Sequence, residues 1–180
     1  MPLYEVFHGV HLTPIQRASL AKKLTHLHCS TFSAPSIFVN VTFHAAKEGD
    51  VEFAGGKEVP VNKIIAHLRP RPTKPADTIP NLTSAIIASW NSVVYDKAPE
   101  FNGRIDDEKA LHTVFIMEDI SGGAEQGFIL PLAGKDGDGV WAEEQMPEFE
   151  KRAAAGDKSV EKLIEEIHIG LGNAKLDKAE

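Results

Sequence analysis

The stretch PLYEVFHGVHLTPIQRASLAKKLTHLHCSTFSAPSIFVNVTF, Pro2–Phe43, decides the fold. Leu3 to His8 is rich in aromatic and β-branched residues and predicts a short strand. Thr13-Pro14 supplies a hydroxyl N-cap and then proline at the first helical position, where a missing N–H costs nothing. Beyond it, Ile15, Leu20, Leu24, Leu27 and Thr31 recur at roughly helical spacing, with Arg17, Lys22 and Lys23 on the wet side. Ser33-Ala34-Pro35-Ser36 breaks the helix. Ile37-Phe38-Val39-Asn40-Val41-Thr42-Phe43 reads as a strand, and its near-continuous apolar character predicts burial on both faces. The chain therefore opens with a strand–helix–strand unit.

The pattern recurs further on. Asn62 to Leu68 predicts a strand, Pro70 to Pro80 a proline-rich connection, and Asn81 to Tyr95 a helix with Leu82, Ile86, Trp90 and Val93 or Val94 inward. His112 to Met117 predicts another strand. Equivalent elements are offset by roughly 60 to 75 positions, as an old and uneven duplication would leave them. Lys47 to Pro60, with Gly55-Gly56, reads as a hairpin or loop joining the halves. The expected class is α+β: two fused β-α-β units form a four-stranded, mainly parallel sheet with two helices on one face. The other face carries too much apolar surface to stay wet, and self-association would cover it. Residues 1–132 are expected to form this domain, with pseudo-repeats of about 2–60 and 61–132. Residues 133–180 are expected to form a helical C-terminal extension. Beyond Gly127, Phe128 to Leu132 predicts a short strand, Gly134 to Gly139 a loop, Ala142 to Ala154 a helix, and Val160 to His168 an amphipathic helix. Asn173 to Glu180 reads as a frayed tail.

Composition narrows the function classes. Asp and Glu outnumber Lys and Arg by 26 to 19, a net charge of −7. That is the wrong balance for a nucleic-acid binder, so an anionic ligand would need a local cationic pocket. No apolar run approaches ~18 residues, so no membrane partner is expected. The N-terminus shows no basic region followed by a long apolar stretch, which makes the cytoplasm the expected location. Cys29 is the single cysteine, which excludes an intramolecular disulfide framework. It lies in a helix without an activating pattern and reads as a buried thiol.

Four kinds of residue could carry chemistry. Proline after the initiator methionine favours removal of Met1, which would turn Pro2 into a secondary amine at the start of a strand. An α-amino group ordinarily titrates near 7.7–8.0. Burial and nearby cations would favour its neutral form and make it a general base at neutral pH. If Met1 persists, Pro2 is an amide nitrogen with no basicity. Arg69 and Arg71 flank Pro70 at the end of the third strand, where an extended run would point both at one carboxylate. The alternatives are a solvated strand end or a salt bridge between copies of a trimer. His28 lies one turn beyond Leu24 at the border of the apolar stripe, as a pocket histidine or a structural one would. Glu125, in Ala124-Glu125-Gln126-Gly127, is either a surface loop glutamate or an acid–base group. His26-x-His28 places its side chains on different helix faces, and no cluster completes a metal site. Neither a metal nor a cofactor is expected.

In order and spacing, these motifs resemble one family. Pro2-Leu3-Tyr4, Leu12-Thr13-Pro14, His28, Phe38-x-Asn40-Val41-x-Phe43, Gly55-Gly56, the arginine-bearing strand end, Glu125-x-Gly127 and Leu130-Pro131 are similar to the cis-3-chloroacrylic acid dehalogenase branch of the tautomerase superfamily. The resemblance runs collinearly over about the first 130 residues and fades beyond. It implies a homotrimer of fused β-α-β units acting on a small carboxylate. It also implies roles: Pro2 as acid–base, Arg69 with Arg71 and His28 on the substrate carboxylate, and Glu125 activating water in members that hydrate. Two positions depart from the pattern. Phe115 stands on the fourth strand, at a substrate-binding position where those dehalogenases carry a hydrogen-bonding tyrosine, and a phenylalanine cannot orient water. A single residue separates Arg69 from Arg71, where two separate theirs. Tautomerisation of a 2-oxo or enol carboxylate needs less than hydration does and is the leading expectation. A hydratase or dehalogenase of an unsaturated acid, and a non-catalytic trimer, are the alternatives.

Overall fold

The computed structural model describes residues 2–71, 73–131 and 137–171. Strand β1 (Leu3–His8) leads through helix α1 (Pro14–Phe32) to β2 (Asn40–Ala45). A two-stranded hairpin, β3 (Glu52–Ala54) and β4 (Lys57–Val59), precedes β5 (Asn62–His67), helix α2 (Thr78–Val94) and β6 (Thr113–Met117). Then come the short strands β7 (Ala124–Glu125) and β8 (Phe128–Ile129), followed by helices α3 (Gly137–Ala154) and α4 (Lys158–Ile169).

The main sheet runs β2-β1-β5-β6. Each β-α-β unit pairs its strands in parallel, and the two units meet antiparallel at β1 and β5, with Leu3 opposite His67. Period-two alternation sorts the side chains. Tyr4, Val6, Ile64 and Ala66 are buried beneath the helices. There they meet Leu20 and Leu24 of α1 and Leu82, Ile86 and Trp90 of α2. Thr13 closes a capping box with Gln16 at the start of α1, and Ser33 ends the helix in the left-handed conformation at φ 52°. Asn62 is wholly buried and fully bonded: its amide oxygen accepts from Gly9 and Val10, and its nitrogen donates to the Glu108 and Ala110 carbonyls. Gly55 and Gly56, at φ 58° and 78°, form the two-residue turn that joins β3 to β4.

Several expectations need correction. The run from Ile37 to Phe43 is not one strand buried on both faces. Ser36–Phe38 is a 3₁₀ turn, and β2 starts at Asn40 with Asn40, Thr42 and His44 exposed. The apolar run spans two environments: Phe38 enters a second core, while Val41 and Phe43 pack on the first. Ile15 is 82% exposed, because the buried stripe of α1 runs through Leu20, Leu24 and His28 and begins a turn later. Helix α2 starts at Thr78 rather than Asn81. Pro80 sits in its first turn, where no backbone donor is required. Residues 137–139, expected in a loop, open α3. The expected frayed tail and the boundary near 132 lie outside the described residues.

The second core joins Phe38, Phe128 and Leu130 to Trp141, Phe149, Val160 and Leu163 of the C-terminal helices. Glu166 of α4 is buried against the 3₁₀ turn. It accepts from the Ser36 backbone N–H at 2.7 Å and from the Ser36 hydroxyl. Among the described residues no helix is long and apolar enough to cross a membrane.

Candidate active site

Topology brings most of the candidate residues to one end of the sheet. Parallel pairing starts β1 and β2 at the same end, and antiparallel pairing brings the end of β5 there too. Helix α1 returns from the far end, so its last turn arrives alongside. Pro2 is buried at this end, and its carbonyl accepts from the Asn40 N–H at 3.1 Å. The Asn40 side-chain amide donates to Glu125 Oε1. Glu125 Oε2 is buried and, among the described residues, has no hydrogen-bond partner. Burial is the main influence on this carboxyl and raises its pKa, against the opposing Asn40 hydrogen bond and the Arg69 charge.

His28 is buried at the end of α1, where its Nδ1 lies 3.0 Å from the Tyr4 hydroxyl. Burial, then the Arg71 charge, and also the Arg69 charge, hold the His28 pKa well below the usual imidazole range. Its ring is neutral at pH 7. Burial likewise raises the Tyr4 pKa, so the phenol keeps its proton. The His28 ring packs 4.7 Å from Phe32, and the Arg71 guanidinium lies 4.4 Å over that same Phe32 ring. Arg69 is buried, with Nη1 donating to the Pro131 carbonyl at 2.6 Å. Lys74 steadies the segment after β5 by bonding both the Arg71 carbonyl and Glu118, at 3.1 and 2.7 Å.

Pro2, His28, Arg69, Arg71 and Glu125 thus gather at one end of the sheet. Phe115 does not join them. It lies on β6 opposite Ile65, on the face away from the helices, and is 56% exposed. Tyr4 and Asn40 are the neighbours to which sequence reasoning gave no role. Strand alternation places Tyr4 under α1, and register sets Asn40 beside Leu3, but only the folded chain shows what each one holds. Cys29 is buried, and burial pushes its thiol up to about 12, which leaves it inert at neutral pH. Among the described residues no group of three or more His, Cys, Asp or Glu is arranged to hold a metal ion.

Comparison with known proteins agrees with this fold. The model of the family described as "Putative oxalocrotonate tautomerase enzyme" matches residues 1–146. A crystal structure of a member of the cis-3-chloroacrylic acid dehalogenase family is similar, with a TM-score of 0.55 at 24% identity, over 74% of this chain and 87% of that one. A probable enzyme from the thermophilic fungus Aspergillus fumigatus gives a TM-score of 0.56 at 21% identity, over 80% and 94% of the two chains. A fused 4-OT asymmetric trimer gives 0.52 at 18% identity, over 71% and 94%. At these identities the structures speak for the fold alone. No curated protein matches the chain. With the family model spanning most of its length, the chain belongs to this oxalocrotonate tautomerase family of the tautomerase superfamily.

Proposed function

We propose that this protein is a tautomerase that moves a proton on a small 2-oxo or enol carboxylate, using the amine of Pro2 once Met1 is removed. The observation that carries the reading is the buried start of β1, where Pro2, Asn40 and Glu125 are linked, the Arg69 charge acts on Glu125, and the Arg69 and Arg71 charges act on His28. The neutral amine takes the proton α to the carbonyl, and the C–H electron pair becomes the enolate π bond. The arginines stabilise the developing oxyanion and hold the carboxylate. The protonated amine then returns its proton to oxygen, or to carbon in the ketonising direction. A neutral His28, bonded to Tyr4 through Nδ1, is left to offer Nε2 to the carboxylate.

A second reading has its own support. Glu125, with a raised pKa and a buried oxygen lacking a protein partner, suits a base that activates water for hydration of an unsaturated acid. Phe115 lies on the opposite face, so any part it plays needs a second copy of the chain. The helix-free face, with Phe115 and Met117 exposed, favours assembly as a homotrimer.

Ketonisation of phenylenolpyruvate and hydration of a halogenated acrylic acid separate the two readings. The tautomerase reading expects the first reaction to be accelerated and Pro2→Ala to lose most of that rate. Full activity in Pro2→Ala would refute it.

A further inference from the structure

We propose that Arg152 is a positioning residue for Glu125, gripping the turn next to it from the C-terminal helices. The proposal rests on Glu125 belonging to the site described above. Glu125 stands at the end of a two-residue strand, and a hairpin this short does not hold its own shape. Its turn is also conformationally costly. Gln126 and Gly127 adopt φ 51° and 84°, and the left-handed region disfavours a side chain such as that of Gln126. Something outside the hairpin must hold it.

Arg152 of α3 meets that need in three ways. Its Nη1 donates to the Gln126 carbonyl at 2.6 Å. Its guanidinium lies 4.2 Å over the ring of Phe128, the register partner of Glu125. A Cβ built on Gly127 would stand 2.9 Å from Nη2, so the guanidinium occupies the space that the glycine leaves open. Glu148 approaches the Arg152 Nε at 3.5 Å from the preceding turn and helps aim the side chain. Trp141 adds a second tie from the same helix, its Nε1 donating to the Ile129 carbonyl at 3.0 Å. On the other side, Asn40 holds the carboxylate itself. Arg152 fixes the backbone behind Glu125, and Asn40 fixes the oxygen in front. The C-terminal helices thereby belong to the site without touching substrate.

The test uses the full chain with Met1 removed. Arg152→Ala, Arg152→Lys and Glu125→Gln are compared by pH-dependent kinetics and by ¹³C NMR titration of the Glu125 carboxyl. Positioning predicts that Arg152→Ala lowers kcat for hydration of a halogenated acrylic acid, the reaction in which Glu125 acts as base, by about 10- to 100-fold with KM changed less than about twofold. It also predicts that Glu125, released to water, titrates lower, toward about 4.3. Arg152→Lys recovers part of both, and Arg152→Ala adds no further loss on a Glu125→Gln background. If Arg152→Ala fails to fold, Arg152→Lys carries the same comparison. An unmoved Glu125 titration with unchanged kcat, and only a lower Tm, would make Arg152 a packing residue and overturn the proposal. A wild-type chain inactive on enol acids whose Glu125 titration still moves with Arg152 would support the positioning role while removing the tautomerase reading.

Discussion

At the residue scale, the proposed site sets Arg69 and Arg71 in an acidic chain, and burial is the largest influence on the charge states of His28 and Glu125. His28 illustrates this. Burial and the two arginines depress its pKa, so the ring stays neutral through the physiological range. A ¹⁵N NMR titration should accordingly show no His28 transition between about pH 6 and 8, where an unperturbed imidazole would titrate. A midpoint near 6.5 would contradict the burial argument. Arg69 is the sharper case for function. Removing one charge-assisted contact to a carboxylate costs about 1.5–3 kcal/mol, so Arg69→Ala should raise KM by about 10- to 150-fold. Arg69 also bonds the Pro131 carbonyl, so the same variant should lower Tm. Steady-state kinetics and thermal melts read the two effects separately. An unchanged KM would move the clamp elsewhere.

At the scale of elements, the C-terminal helices hold the hairpin that carries Glu125 and the turn that leads into β2. Glu166 satisfies both the N–H and the hydroxyl of Ser36 at the turn that leads into β2 and Asn40. Glu166→Ala would strand that half-buried N–H, at a cost of up to about 1–3 kcal/mol in urea unfolding. A variant as stable as wild type would show that water replaces the carboxylate. The two β-α-β units were legible because Thr13-Pro14 marks the start of α1 by local chemistry and the stripe of α2 follows a clean period. The run from Ile37 to Phe43 misled because hydrophobicity does not say which core a residue enters. Phe38 serves the C-terminal helices and Val41 the sheet. The convergence of Pro2, His28, Arg69 and Arg71 follows from topology once the strand order is known. The ties from Asn40 and Arg152 to the Glu125 hairpin do not, because they join residues 85 and 26 positions apart with no local pattern between them.

At the scale of the whole molecule, the helix-free face carries a charge network as well as apolar side chains. His67 lies between Asp119, at 2.7 Å, and Glu5, at 3.2 Å, and His44 reaches the other Glu5 oxygen at 3.2 Å. The Asp119 hydrogen bond is the main influence on His67 and raises its pKa above 6.5, opposed by burial and reinforced by Glu5. A folded-state pKa above the unfolded one gives a contribution that is complete below the unfolded value and lost as pH rises through the folded value. Wild type should therefore exceed His67→Gln in urea midpoint by more at about pH 6 than at about pH 9. Equal gaps at both would mean that His67 is not charged in the folded chain. Trimer assembly on this face predicts a sedimentation mass three times that of one chain, and a monomer at micromolar concentration would remove the reason for its exposed Phe115 and Met117.

The claim that Pro2 is the acid–base group is tested most directly by the ketonisation rate of phenylenolpyruvate with protein whose intact mass shows Met1 removed. Measured before and after selective acylation of the amino terminus, the rate should stand well above buffer and then fall to the buffer rate. A rate that survives acylation, or that never exceeds buffer, would contradict the account.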